Sequence, residues 1–124
     1  MKRILKTRLF CRWMRKTELD DRLLRKAIEE MERGLVDADL GSGVYKKRIA
    51  LPGRGKSGST RTLIATNTAA RWIFLYGYEK NEKDNITQGE LAAWKLFAQD
   101  LLECSETHLE TLKADRELEE LGDE

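Results

Sequence analysis

VYKKRIALPGRGKSGSTRTLIATNTAARWIFLYGY, residues 44–78, is the stretch whose reading decides the fold. It holds three runs rich in β-branched and aromatic residues: Val44 to Leu51, Thr60 to Asn67 and Arg71 to Tyr78. Gly, Pro, Ser and Asn separate them, which reads as three strands joined by turns. Side chains alternate along a strand, so Tyr45, Ile49 and Leu51 share one face of the first run while Lys46 and Arg48 form a row on the other. The third run is apolar at both parities and predicts a strand in the middle of the sheet. The connection from Asn67 to Ala70 is short, so the second and third strands should be antiparallel neighbours. Parity puts Trp72, Phe74, Tyr76 and Tyr78 on one face, the first two as core and the tyrosines as planes on which a base could stack.

The same stretch carries the charge. Between Leu40 and Tyr78 lie seven cations, Lys46, Lys47, Arg48, Arg54, Lys56, Arg61 and Arg71, and no Asp or Glu. Clustered Lys and Arg hold phosphates through charge-assisted hydrogen bonds and counterion release, so a polyanion is the expected partner. The near-neutral total of +1 conceals an asymmetry: residues 1–100 hold 21 Lys/Arg against 13 Asp/Glu, residues 101–124 hold 2 against 9. An acidic tail counterweights a basic body.

Outward from the centre, residues 3–10, RILKTRLF, suit a short strand whose charges mark a sheet edge, and Cys11 to Lys16 a short helical segment. Thr17 with Asp20 fits an N-cap. Leu19, Leu23, Leu24, Ala27, Ile28 and Met31 then repeat at helical spacing until Gly34. Residues 35–43, LVDADLGSG, read as a turn-rich connection; Asp37, Asp39 and Gly41 fail the calcium-loop pattern because Arg48 stands where it needs Glu. Thr87 and Glu90 form a capping box before a helix with Leu91, Trp94, Ala98, Leu101 and Leu102 on one stripe. The tail is expected to be a sparse, fraying helix. Residues 1–104 form one domain, with 105–124 as an acidic extension of it. The order predicts an α+β fold: an antiparallel sheet with two N-terminal helices and a C-terminal helix packed on it.

Several chemistries can be set aside. ALPGRGKS, residues 50–57, approaches a Walker A loop, but a strand follows where that loop requires a helix N-terminus. His108 is the sole histidine and no Cys/His/carboxylate cluster accompanies it, so neither a metal centre, a cofactor nor a histidine-pair nuclease is expected. Cys11 and Cys104 read as reduced thiols. No apolar run approaches the ~18 residues of a membrane span, and charges interrupt the N-terminus too early for a signal peptide, so the expected location is the cytoplasm. In the loop, Gly53, Gly55 and Gly58 allow close approach of backbone amides to a phosphate, Arg54 and Lys56 supply charge, and Ser57 donates a hydrogen bond. Strand cleavage would have to use Lys, Arg, Tyr or Glu.

DADLGSGVYKKRIALPGRGKSGSTRTLI, followed by FLYGYEKNEKDNIT and ELAAWKLFAQDLL, resembles the RelE/HigB superfamily of toxin–antitoxin toxins, closest to the branch with a KKR strand and a GKGKSG-like loop. The resemblance implies a RelE-like fold and a cytoplasmic, metal-independent endoribonuclease. Such a toxin enters the ribosomal 30S A site and cleaves mRNA by attack of the ribose 2′-hydroxyl. Carried over by residue, Arg61 would stabilise the phosphorane, Lys56 and Arg48 would position the phosphate and help deprotonate the hydroxyl, and Tyr78 or Lys80 would orient the base or assist the leaving oxygen. Lys46, Lys47, Arg54, Ser57, Arg71 and Tyr76 would contact RNA. The implied partner is a helix-turn-helix antitoxin, through which alone the operator DNA is met. The rival readings are a non-nucleolytic inhibitor on the same fold, ParE-like, and an RNA-binding module.

Overall fold

A computed structural model describes residues 2–51, 60–67, 70–79 and 86–122. The central stretch forms β3 (Val44–Ile49), β4 (Thr60–Thr66) and β5 (Arg71–Glu79). All three pair antiparallel in sequence, with β5 interior. The other strands are β1 (Arg3–Thr7), β2 (Ala38–Gly41) and β6 (Leu118–Glu120), giving the order β2-β3-β4-β5-β1-β6.

Three expectations change. β1 is not an edge strand: it lies parallel to β5 and is covered on its other side by β6, so the sheet is mixed. Its Ile4 and Leu5 are buried on opposite faces, and Lys6 is buried with its charge met by Asp21 at 3.0 Å. The tail is not a single fraying helix, because after α4 (Glu106–Ala114) it returns as β6. Residues 38–41 are also a strand. Asp37 accepts a hydrogen bond from Arg48 N, Asp39 accepts one from Gly41 N, and Ser42 and Gly43 both take positive φ in the two-residue turn to β3. The two aspartates thus serve the hairpin.

Side chains of alternating parity bury on two faces. On one, α1 (Arg8–Met14) and α2 (Asp21–Glu32) cover Ile4, Ile49, Ile64, Trp72 and Phe74. Asp20, not Thr17, caps α2 by accepting from Leu23 N. Leu24, Ala27, Ile28 and Met31 form its buried stripe, each large member contributing ~1.5–3 kcal/mol by leaving water. On the other face, α3 (Gln88–Glu103) and α4 cover Leu5, Val44, Leu63, Ala65, Ile73 and Leu75. Both halves of the Thr87–Glu90 capping box are present.

Candidate nucleic-acid interface

Register places the basic strand against its neighbours row by row. Lys46 lies opposite Leu63, which lies opposite Tyr76; Arg48 lies opposite Arg61, which lies opposite Tyr78. Leu63 faces α3, and residues two apart share a face, so Lys46, Arg48, Arg61, Tyr76 and Tyr78 all stand on the α3 side of the sheet. Two arginines thus stand in directly opposed positions on neighbouring strands, concentrating positive charge on this face.

The tyrosines reach this face through a β-bulge. Leu63 pairs with Tyr76 and Ile64 with Phe74, leaving Leu75 without an opposite residue. The extra residue flips the alternation. Trp72 and Phe74 therefore pack beneath α1 and α2, whereas Leu75 and Tyr76 pack towards α3, contrary to uninterrupted parity. The bulge is tied down by Thr7: its hydroxyl donates to Leu75 O at 2.8 Å and accepts from Phe10 N at 3.1 Å, capping α1 with the same oxygen. Between the tyrosines, Gly77 turns to α1 and sits under the Trp13 ring, where a Cβ would lie 2.2 Å from Cζ3.

Accessibility within the rows is graded. Arg48 is exposed, Lys46 and Tyr76 are half-buried, and Arg61 and Tyr78 are 6% and 2% exposed. Arg48 is thus the most accessible cation of the described rows. Tyr76 stacks on Tyr78 with ring centroids 5.9 Å apart and lies 5.5 Å from Trp94, which in turn lies 5.9 Å from Phe97. Sequence reading had placed Trp94 only on the buried stripe of α3. Its neighbourhood to Tyr76 depends on the bulge, for which periodicity carries no signal.

Two predicted RNA contacts are engaged elsewhere. Lys47 points to the α2 side, buried, its ammonium 3.0 Å from Leu35 O and 2.9 Å from Glu30. Arg71 is at the opposite end of β5 from Tyr78 and nearly buried. It donates to Leu101 O at 2.8 Å and Leu102 O at 3.2 Å and pairs with Glu106, so its charge meets the carbonyl end of α3. Arg54, Lys56, Ser57 and Lys80 lie outside the described residues.

The acidic tail spends its charge on the β1 side of the sheet. Arg3 holds Glu120 through two 2.9 Å hydrogen bonds and also binds Glu106 and Glu110; Glu119 approaches Lys6, and Glu117 pairs with Arg8. These bonds raise the pKa of Arg3 further and hold Glu120 at about 2, with a second contribution from Lys113 at 2.7 Å. Glu106 and Glu110 are lowered chiefly by Arg3. Burial, then Glu119, raises the Cys11 thiol, which makes it a poorer nucleophile. Among the described residues no group of three or more His, Cys, Asp or Glu gathers as a metal site, and no helix is long and apolar enough to cross a membrane.

No individually curated protein matches the chain. A family profile described as the RelE toxin of the RelE/RelB toxin–antitoxin system matches residues 2–121. The match runs from the first strand through β6, and so takes in both the cationic tyrosine face and the tail that completes the sheet. The chain belongs to the RelE toxin family, whose members work opposite an antitoxin.

Proposed function

We propose that this chain is a ribosome-dependent endoribonuclease that cleaves mRNA in the A site and so arrests translation, held in check by a cognate helix-turn-helix antitoxin. The observation that carries the reading is the row Arg48–Arg61–Tyr78, two opposed guanidiniums and a phenol on one face of three consecutive strands. In the reaction the 2′-oxygen attacks the adjacent phosphorus and the bond to the 5′-oxygen breaks. A 2′,3′-cyclic phosphate and a 5′-hydroxyl result. The hydroxyl proton passes to a basic side chain, and the departing 5′-oxygen takes one up. Arg61 stabilises the charge of the phosphorane, worth ~10²–10³ in rate for a well-placed donor. Arg48 and Lys56 position the phosphate; a lysine serves as base only if its proton affinity falls, the direction in which neighbouring cations would push it. Tyr78 or Lys80 orients the base or assists the leaving oxygen. Lys46, Arg54, Ser57 and Tyr76 hold the flanking RNA, and Lys47 and Arg71, whose cations meet Glu30 and Glu106, support the sheet that carries them. Ribosomal action places the protein in the cytoplasm, and operator DNA is met only through the antitoxin.

The test is toeprinting of mRNA on ribosomes with Arg61→Ala and Arg48→Ala proteins, beside growth arrest on induction. Loss of A-site cuts with an unchanged melting temperature supports the assignment. Cleavage at the wild-type rate by Arg61→Ala overturns it. A second reading, a non-nucleolytic inhibitor, is favoured by the burial of Arg61 and Tyr78. It predicts growth arrest without cuts by the wild-type protein.

A further inference from the structure

β1 stops at Thr7, whereas β5 runs on to Glu79, so the second half of β5 has α1 beside it instead of a strand. A shallow hollow of about 420 Å³ lies there, lined by Leu9, Arg12, Lys16, Tyr76 and Tyr78. A second hollow of about 320 Å³ continues it, lined by Leu9, Arg12, Trp94, Phe97 and Glu117. They share Leu9 and Arg12. Together they make one groove that begins at the tyrosines of the candidate site and ends at Phe97. Leu9 and Phe97 are each 42% exposed, unusual for apolar side chains so close together. The acid in its lining, Glu117, is paired with Arg8 at 3.1 Å, while Arg12 on α1 and Lys16 in the turn after it add cations to the wall.

The rings of Tyr76, Trp94 and Phe97 pack in a continuous row, half-buried at Tyr76 and Trp94 and exposed at Phe97, and an aromatic surface walled by cations is what a single strand of nucleic acid uses: bases stack on the accessible ring faces and the backbone follows the charge. We infer that this groove is a single-stranded RNA track, along which nucleotides flanking the scissile phosphate run from Tyr76 over Trp94 to Phe97 with Arg12 and Lys16 on their phosphates. The inference rests on the ribonuclease reading above and adds to it a second RNA contact on α1 and α3, away from the reacting atoms. Stacking of this kind tolerates any base, so the track contributes affinity and substrate length preference, not codon choice.

The experiment compares binding of a fluorescein-labelled single-stranded RNA 12-mer and a trinucleotide by anisotropy at low salt, using wild-type, Phe97→Ala, Phe97→Tyr, Arg12→Glu and Arg61→Ala proteins. Phe97 and Arg12 are exposed, so their variants should keep the wild-type melting temperature. Phe97→Ala and Arg12→Glu are expected to weaken the 12-mer about tenfold, leave the trinucleotide unchanged, and be rescued at position 97 by tyrosine. Equal 12-mer binding by wild-type and Phe97→Ala overturns the track, and does so while the ribonuclease reading stands if Arg61→Ala still abolishes cleavage. Failure of the ribonuclease reading shows separately, as cleavage retained by Arg61→Ala. Weakened binding of the antitoxin with undiminished RNA binding in Phe97→Ala also overturns the track and identifies the groove as a protein-docking surface.

Discussion

Replacing Glu120 by Gln should destabilise this protein at neutral pH and cease to matter in acid. The Glu120 carboxylate accepts from Arg3 Nε and a terminal guanidinium nitrogen, both at 2.9 Å, and from Lys113 at 2.7 Å. The Arg3 and Glu120 side chains are 19% and 26% exposed. A carboxyl held at about 2 instead of 4.5 would contribute roughly 3 kcal/mol at neutral pH. Solvent screening, and the two other carboxylates that remain on Arg3, reduce the expected loss to about 1–2 kcal/mol. Because the folded pKa is depressed, the contribution is fully present above pH 4.5 and disappears as pH falls from there through about 2. Urea unfolding at pH 7, 5, 4 and 3 measures both quantities: the gap between wild type and E120Q should hold from pH 7 to 5 and then narrow. A gap independent of pH, or none at pH 7, would refute the reasoning. Because Glu120 acts on β1, away from the Arg48–Arg61–Tyr78 row, A-site cleavage by E120Q at the wild-type rate is the companion expectation.

Gly77→Ala places a methyl 2.2 Å from Cζ3 of Trp13, and should cost about 1–3 kcal/mol in a thermal or urea melt; the cost should shrink in a Trp13→Leu background, where the ring that blocks the methyl is gone. Glu30→Gln leaves the buried Lys47 ammonium without its carboxylate and is expected to lower stability by about 1–3 kcal/mol. Lys46→Met, one residue away on the opposite face, should stay within about 0.5 kcal/mol of wild type yet reduce the salt dependence of RNA binding by about one counterion, measured as the slope of log affinity against log salt.

Much of the sheet could be read before folding. β3, β4 and β5 lie where β-branched and aromatic runs place them, the short Asn67 to Ala70 connection makes β4 and β5 antiparallel neighbours, and Thr87 with Glu90 marks the start of α3. Lys46 and Arg48 share a face as alternation requires. Four features escaped. The charges of RILKTRLF resembled an edge strand because their partners, Asp21, Glu119 and Glu120, lie in α2 and β6, far along the chain. The β6 strand is three residues long, below what composition can signal, and exists only because β1 offers it hydrogen-bonding groups. The partners of Lys47 and Arg71, Glu30 with Leu35 O and the end of α3 with Glu106, escaped because a cation's partner is not visible from its neighbours in sequence. The bulge at Leu75 reversed the parity that had grouped Tyr76 with Trp72 and Phe74.

The sequence by itself determined what depends on nearest neighbours: the runs that become β3, β4 and β5, the apolar stripes of α2 and α3, the capping box that opens α3, and that seven cations without an acid occupy residues 41–77. Alternation and helical spacing act within a few residues, so they survive without knowledge of the fold. Tertiary structure alone decided which cations face the candidate site and which support the core. It also set the neutralisation of β1 by the acidic tail and carried the two tyrosines to the face of Arg48 and Arg61. Those outcomes depend on strand order, register and one extra residue in a ladder, quantities fixed by pairing between distant segments.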